Sequence, residues 1–319
     1  MSHAYVLVEH TDGALDEVTA ELITAARAFG AVSAVVVGAP GTVAPLAGAL
    51  AAAGADQIVA AEGADVGERL VLPAVDALSI LASSNPAPVL VPSSPAGDEI
   101  AARLAVRLGS GVLCDVVGVN ADRTAQQSIF GDTVSVTAAV GGECPIYAVR
   151  AGAVDAEPRP GAGELVTLEL PGAGEKDVRV TGFIPAERGE RPALAQAKIV
   201  VAGGRGVGSA EGFTDIVEPL ADALGGAVGA TRDAIDHDWY GGQYQIGQTG
   251  VSVAPELYIG LGISGAIQHK AGMQTSRTIV VVNNDEDAPL FEIADLGVVG
   301  DLFSIAPALT EEITRRRRG

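Results

Sequence analysis

The run Lys198-Ile199-Val200-Val201-Ala202, followed at once by Gly203-Gly204-Arg205-Gly206-Val207-Gly208-Ser209, decides the fold. The apolar run reads as a strand and the glycines as a tight turn, because glycine lets the chain bend and approach other groups closely. Phe213 to Leu224 then reads as a helix. Strand, glycine turn and helix make one βα unit. Repeated, such units build a parallel sheet with helices on both faces. The glycine spacing approaches a dinucleotide-binding loop but departs from G-x-G-x-x-G, since Ser209 stands at the last position. On spacing alone, a nicotinamide site and an ordinary strand-to-helix turn both remain open.

The same rhythm continues outward. Downstream, Ala227 to Gly229, Leu257 to Gly260 and Thr278 to Val282 read as strands, and Pro307 to Arg315 as a closing helix. Upstream, Tyr5 to Val8, Ala34 to Val37, Gln57 to Ala60 and Pro88 to Val91 read as strands. Leu15 to Phe29, Val43 to Ala53 and Glu99 to Leu108 read as helices, with Gly54 a C-cap. Between these halves Gln127 to Phe130, Thr133 to Val140, Ile146 to Val149, Val166 to Leu170 and Val178 to Phe183 read as strands with few helices. They extend the first sheet or form an antiparallel edge. The polar, aperiodic stretch Pro185 to Pro192 reads as a linker. The expectation is an α/β protein of two domains, 1–188 and 189–319, each with a largely parallel sheet flanked by helices, the second doubly wound.

Composition agrees. The chain has 319 residues, more than one core usually serves. With 48% hydrophobic but only 4% aromatic residues, its cores are built from Ala, Val, Leu and Ile. A net charge of -20 argues against a nucleic-acid backbone as partner. It leaves room for a mononucleotide, because backbone amides bind phosphate without net positive charge. The basic run Arg315 to Arg318 reads as a solvated helix end, where cations suit the dipole. Cys114 and Cys144 show no metal or redox spacing and read as buried small hydrophobes. No signal-peptide pattern and no uninterrupted apolar span are present, so the expected location is cytoplasmic.

Two further runs carry the chemistry: Gly247-Gln248-Thr249-Gly250, and Gly262-Ile263-Ser264-Gly265-Ala266-Ile267-Gln268-His269. Gln, Thr, Ser and His supply donors and acceptors without a fixed charge. Neither a nucleophile beside a base nor a metal cluster is visible. The combination suits holding a large polar cofactor. Ser264 reads as the N-cap of a helix whose amides can bind an anion. Arg232 follows a short strand at its carboxyl end, where open α/β sheets bind ligands. It reads equally as a surface ion pair with Asp233 or Asp236. Asn283 and Asp301 read as turn and capping residues. A lone histidine such as His269 is ordinarily structural.

Taken in order, these pieces resemble the FAD-binding region of the electron transfer flavoprotein alpha subunit. The series runs through Val228-Gly229-Ala230-Thr231-Arg232, Gln245 to Gly250, Pro255-Glu256-Leu257-Tyr258-Ile259, Gly262 to His269, Ala271-Gly272-Met273, Asp287-Ala288-Pro289-Leu290-Phe291 and on to Asp301-Leu302-Phe303. A looser likeness runs through Val6 to His10, Val91 to Ser94 and Glu99 to Ala105. The resemblance implies that the glycine loop and Arg205 bind the FAD adenylate and pyrophosphate. It puts Thr231 and Arg232 at the flavin, where the guanidinium favours the reduced, anionic ring. It gives Thr249 a hydrogen bond to flavin N5, with Gln245, Gln248 and Gly250 beside it. Ser264, Gly265, Ala266 and Gln268 face the pyrophosphate, His269 donates to flavin O2, and Asn283, Asp301 and Leu302 border the adenosine. Val251 and Asn284 stand where lysine is frequent, which removes local positive charge.

The implied function is an electron carrier that takes electrons from flavin dehydrogenases, such as acyl-CoA dehydrogenases, to a quinone oxidoreductase or other acceptor. The implied partner is a beta subunit that carries AMP and forms a heterodimer through the first domain. The rival readings are a self-contained FAD- or NAD-dependent oxidoreductase, for which His269 is the one attractive acid or base, and a redox-silent nucleotide-binding module.

Overall fold

The computed structural model describes residues 3–11, 13–130, 134–175, 177–182 and 191–318. The chain divides into two compact units, Met1–Pro185 and Ala186–Gly319.

In the first unit the elements run β1 (His3–Leu7), β2 (His10–Thr11), β3 (Ala14–Leu15), α1 (Glu17–Ala26), β4 (Ala31–Gly38), α2 (Val43–Ala53), β5 (Gln57–Glu62), α3 (Leu72–Ser84), β6 (Val89–Pro92) and α4 (Pro95–Leu108). They continue as β7 (Val112–Val119), β8 (Ala125–Ile129), β9 (Val134–Ala138), β10 (Ile146–Val149) and β11 (Glu164–Thr167). One sheet takes the order β11-β5-β4-β1-β6-β10-β7-β8-β9. All neighbours from β11 to β7 pair parallel, while β8 and β9 pair antiparallel. Two apolar layers cover the faces. Val6, Ala34 and Tyr147 meet Leu22 and Leu50 on one side, and Leu7, Val35 and Val91 meet Leu78 and Leu104 on the other.

Two expectations for this half are corrected. Val178 to Gly182 form no strand, and Val180 makes a single backbone bond to the Glu68 carbonyl. Phe183 lies outside the described residues, as does most of the expected linker. Cys114 is exposed rather than buried, whereas Cys144 is buried. Arg69 is the one fully buried cation of this unit's described residues; it binds Asp76 at 2.7 Å, Asp177 at 3.2 Å and the Pro171 carbonyl at 2.7 Å. A carboxylate pair and a carbonyl around one guanidinium satisfy a charge that burial alone would not permit.

The second unit runs β12 (Ile199–Gly203), α5 (Ala210–Gly212), a π-helical turn (Phe213–Val217), α6 (Glu218–Leu224), β13 (Ala227–Ala230), α7 (Arg232–Asp236), β14 (Leu257–Leu261), α8 (Ile267–Lys270), β15 (Ile279–Asn283), β16 (Leu296–Val299) and α9 (Leu302–Arg318). Its five strands are all parallel, in the order β13-β12-β14-β15-β16. Numbered within the unit this is 2-1-3-4-5, a doubly wound sheet whose direction of growth reverses between β12 and β14. Val201, Val228, Ile259 and Val282 pack one face against Phe213, Leu220 and Leu302. Val200, Tyr258 and Val281 pack the other against Ile246, Ile263, Met273 and Leu290. Among the described residues no helix is long and apolar enough to cross a membrane.

Candidate functional site

A parallel sheet puts all its strand-to-helix loops at one edge, and in the second unit that edge gathers the polar runs. The loop after β12 begins at Gly204, that after β13 at Thr231, that after β14 at Gly262, that after β15 at Asn284 and that after β16 at Gly300. The two loops flanking the reversal touch backbone to backbone. The Gly204 amide donates to the Leu261 carbonyl at 2.9 Å, and the Gly206 amide to the Gly262 carbonyl at 2.9 Å. Gly262 has φ +61, and a Cβ there would lie 2.7 Å from the Gly206 Cα. Only glycine at both positions allows this approach. Ser209, the residue that breaks the glycine pattern, caps α5 by accepting the Gly212 amide.

Two cations stand at this edge. The Arg205 side chain is 75% exposed, with Nε 3.7 Å from Asp233 Oδ2. That carboxylate oxygen is buried and has no hydrogen-bond donor. Arg232 is 68% exposed and pairs with Asp236 one helical turn on, at 3.3 Å. Both guanidiniums therefore face solvent with most of their donors directed outward. Thr231, by contrast, is buried; its amide donates to the Gly203 carbonyl and its hydroxyl caps α7 by accepting the Ala234 amide.

The segment Gln245 to Val251 forms a closed loop. Gly250 donates to the Gly247 carbonyl at 3.0 Å and Val251 to the Gln245 carbonyl at 2.7 Å. The loop is stitched to the end of β13 through Ile246 N to Ala230 O at 2.9 Å, and to α8 through Gln248 N to Gln268 O at 2.8 Å. The Gln245 amide nitrogen donates to Thr249 Oγ1 at 2.9 Å. With that oxygen already accepting, the Thr249 hydroxyl is left as a donor, and the side chain is exposed.

The run after β14 is arranged differently from the sequence reading. Ala266, not Ser264, holds the N-cap position of α8, and no side chain caps it. Ser264, Ala266 and Gln268 are exposed, while Gly265 is buried and packs against the backbone of Leu290. His269 is buried at 6% exposure. Its Nε2 lies 2.7 Å from the Tyr258 hydroxyl and its Nδ1 3.2 Å from the Ile246 carbonyl. Burial depresses its pKa to about 4, so the ring is neutral. Both nitrogens are engaged inside the protein. The expected bond to a flavin oxygen requires one of them to exchange its partner.

Asn283 and Asp301 make the bonds their residue types favour. Asn283 is buried, donates to the Ile263 carbonyl at 3.0 Å and accepts the Asp285 amide at 3.1 Å. Asp301 accepts the Phe303 amide and the Ser304 hydroxyl, both at 3.1 Å, at the start of α9. Leu302 is buried under the loop, within 2.9 Å of where a Gly262 Cβ would stand. The structure thus places Arg205, Thr231, Arg232, Ser264 to His269, Asn283, Asp301 and Leu302 along one edge, with the Gln245 to Gly250 loop tied to it. The sequence reading missed Tyr258 as a partner in this site, and it set Asp233 beside Arg232, whereas the structure pairs Asp233 with Arg205 and Arg232 with Asp236. A tyrosine in a strand gives no sign of what its hydroxyl meets.

The donor set fits a dinucleotide carrying a flavin: two exposed cations for phosphate, neutral hydrogen-bonding side chains for hydroxyls and ring edges, and glycine backbone that admits close contact. Among the described residues no group of His, Cys, Asp and Glu is placed to hold a metal. The first unit has a separate cleft of about 530 Å³ at the ends of β1 and β4, lined among others by Glu9, His10 and Asp16. Its carboxylates repel phosphate.

Comparison with known proteins gives a consistent result. Residues 193–274 match the model of the electron transfer flavoprotein FAD-binding domain, and residues 4–173 match that of the electron transfer flavoprotein domain. The electron transfer flavoprotein subunit alpha of Mycobacterium tuberculosis (strain ATCC 25618 / H37Rv) is 59% identical over 318 residues, covering 99% of this chain and 100% of that protein. That of Mycobacterium leprae is 56% identical over the same length. That of Paracoccus denitrificans is 38% identical over 312 residues, covering 97% of this chain and 99% of its own.

Proposed function

The chain belongs to the electron transfer flavoprotein alpha-subunit family, and from that premise we propose that it holds FAD along the carboxyl edge of its second sheet and carries electrons between other flavoproteins. The observation that carries the reading is the convergence of the two exposed arginines and the neutral polar loops at the reversal of strand order, where doubly wound sheets take their ligands. When bound, FAD supplies reversible one- and two-electron redox chemistry; the protein supplies position and electrostatics.

Each residue's part follows from its setting. Arg205, with Gly204 and Gly206 beside it, would hold the phosphates through charge-assisted bonds. Ser264, Gly265, Ala266 and Gln268 border the same phosphates. Arg232 places a positive charge at the edge that offsets negative charge gained on reduction. Gln245 holds Thr249 with its hydroxyl proton free to donate. Gln248 and Gly250 shape that loop. Asn283 and Asp301 hold the loops that border the adenosine, and Leu302 supports Gly262 from below.

The alpha-subunit family implies a beta partner. In this proposal the partner docks on the first unit, carries AMP and covers one side of the flavin. The donors are flavin dehydrogenases, including acyl-CoA dehydrogenases of fatty acid oxidation, and the acceptor is a quinone oxidoreductase. The location is cytoplasmic. A reconstituted chain decides the reading: an acyl-CoA dehydrogenase with its substrate reduces the assembled heterodimer, and a quinone oxidoreductase reoxidises it. Reduction by a small substrate with no dehydrogenase present would instead make the protein an oxidoreductase in its own right.

A further inference from the structure

The two arginines at the edge of the second sheet both meet carboxylates of α7, but the two pairs differ. Arg232 and Asp236 lie one turn apart on the same helix, 68% and 61% exposed, a pair that solvent readily replaces. Arg205 and Asp233 come from separate loops. Arg205 opens the short turn Arg205–Val207 after β12, and Asp233 lies in the first turn of α7 after β13. The Arg205 Nε is 3.7 Å from Asp233 Oδ2, an ion-pair contact longer than a hydrogen bond. That oxygen is closed to water and accepts no hydrogen bond. A carboxylate oxygen in this condition is costly to keep. A small turn of the guanidinium toward it supplies the missing donor.

Both backbones are fixed relative to each other. The Thr231 amide donates to the Gly203 carbonyl at 3.0 Å, which ties the start of α7 to the end of β12. Ala234, the residue after Asp233, is buried in the apolar layer. On the other side, the Gly206 amide is held by the Gly262 carbonyl and the Val207 amide by the Gly204 carbonyl. What is loose is the Arg205 side chain, 75% exposed and long. Ordering such a side chain when a ligand arrives opposes binding. The guanidinium can avoid much of that cost, because its N–H groups point in fixed, separate directions. Nε–H can stay on Asp233 while the Nη hydrogens form a fork for phosphate oxygens.

We propose that Asp233 is a positioning residue for Arg205: it anchors the guanidinium at Nε, so that the Nη fork stands ready for a phosphate of the cofactor. The proposal rests on the reading of this edge as the FAD site. It makes a prediction opposite in sign to simple charge repulsion. A carboxylate beside a phosphate site should weaken binding of an anion, so its removal should tighten FAD. If Asp233 works by holding Arg205, its removal loosens FAD instead.

The test measures FAD dissociation constants on the full chain assembled with its partner subunit, stripped of flavin and titrated back. Asp233→Ala should bind FAD about fivefold more weakly than wild type, the size of a partly exposed charged contact. Asp233→Asn keeps an oxygen that can accept from Nε and removes the charge, so it should recover most of that loss. Asp236→Ala removes an equal charge from the same helix and should not weaken FAD. In an Arg205→Ala background, Asp233→Ala should cause no further loss, since its effect passes through the arginine. Arg205→Lys keeps the charge but has no separate Nε and fork, and should bind about as weakly as Asp233→Ala. It decides the matter should Asp233→Ala fail to assemble. Tighter or unchanged FAD binding in Asp233→Ala overturns the proposal. So does an equal loss in Asp236→Ala, an undiminished loss in the Arg205→Ala background, or wild-type affinity in Arg205→Lys. If Arg205→Ala weakens FAD while Asp233→Ala does not, the site reading stands and the positioning role falls. If Arg205→Ala itself leaves FAD untouched, the phosphate reading of Arg205 falls and the proposal with it.

Discussion

Replacing Gly262 by alanine tests whether the two loops at the strand-order reversal must touch. The substitution carries two costs. At φ +61 an L-residue pays about 1–2 kcal/mol for the left-handed conformation. The new Cβ would also stand 2.7 Å from the Gly206 Cα, 2.9 Å from the Gly206 carbonyl carbon and 2.9 Å from Leu302 Cδ2. The leucine can turn aside, but the Gly206 backbone is held by its bond to the Gly262 carbonyl. Overpacking of this kind costs about 1–3 kcal/mol. The total is about 2–5 kcal/mol, which lowers the unfolding midpoint by roughly 6–15 °C for a unit of this size. Gly208→Ala is the control, since φ is +85 but nothing lies within 4 Å of the added Cβ. It should pay only the conformational cost. The assay is thermal unfolding of both variants as assembled protein, with and without excess FAD. Gly262→Ala should melt well below Gly208→Ala and regain less stability from FAD. Equal melting of the two would refute the claim that close backbone approach, rather than positive φ alone, requires glycine at this position.

Three other outcomes are expected. His269 has a folded pKa of about 4 against an ordinary 6.5, so the unfolded chain takes up a proton that the folded one refuses. Its contribution to stability is whole above pH 6.5 and is lost as the pH falls toward 4, by up to about 3 kcal/mol, and pH-dependent urea unfolding of His269→Gln should lack that component. Arg69→Ala leaves Asp76 buried beside Arg107 alone, so it should destabilise the first unit by about 3 kcal/mol in urea unfolding while leaving FAD content unchanged. Arg232→Ala should lower the flavin's first reduction potential by the equivalent of about 1 kcal/mol, because the guanidinium is exposed and partly screened; a redox titration with no shift would place Arg232 away from the ring.

Much of this fold is legible in the sequence because its strands are short β-branched runs and its helices end at glycine. Val43–Ala53 is a helix as read, and the strands around Val200, Val228, Ile259 and Val281 fall within a residue or two of expectation. Helix α3 escapes notice because Pro73 to Leu78 are all buried, so no polar face marks its period. Strand β16 escapes for the opposite reason, as an exposed edge strand with Leu296, Gly297 and Val299 open to solvent. Val178 to Gly182 alternate like a strand but find no ladder, and alternation alone does not supply a neighbour. The site divides similarly. Glycine loops and exposed arginines at strand ends announce themselves. The Tyr258 hydroxyl and the pairing of Asp233 with Arg205 do not, because the partners lie on other elements that only the fold brings together.

The measurement that bears most directly on the account is the identity and stoichiometry of the cofactor in the native complex of this chain with its beta partner. The complex should be yellow and should release, on denaturation, one FAD per heterodimer with none left covalently attached. Arg205→Ala together with Gly262→Ala should lose that FAD, while Arg69→Ala in the first unit retains it. A complex that carries FMN, a covalent flavin or no flavin, or one whose FAD survives both changes at the second sheet's edge, would contradict the account.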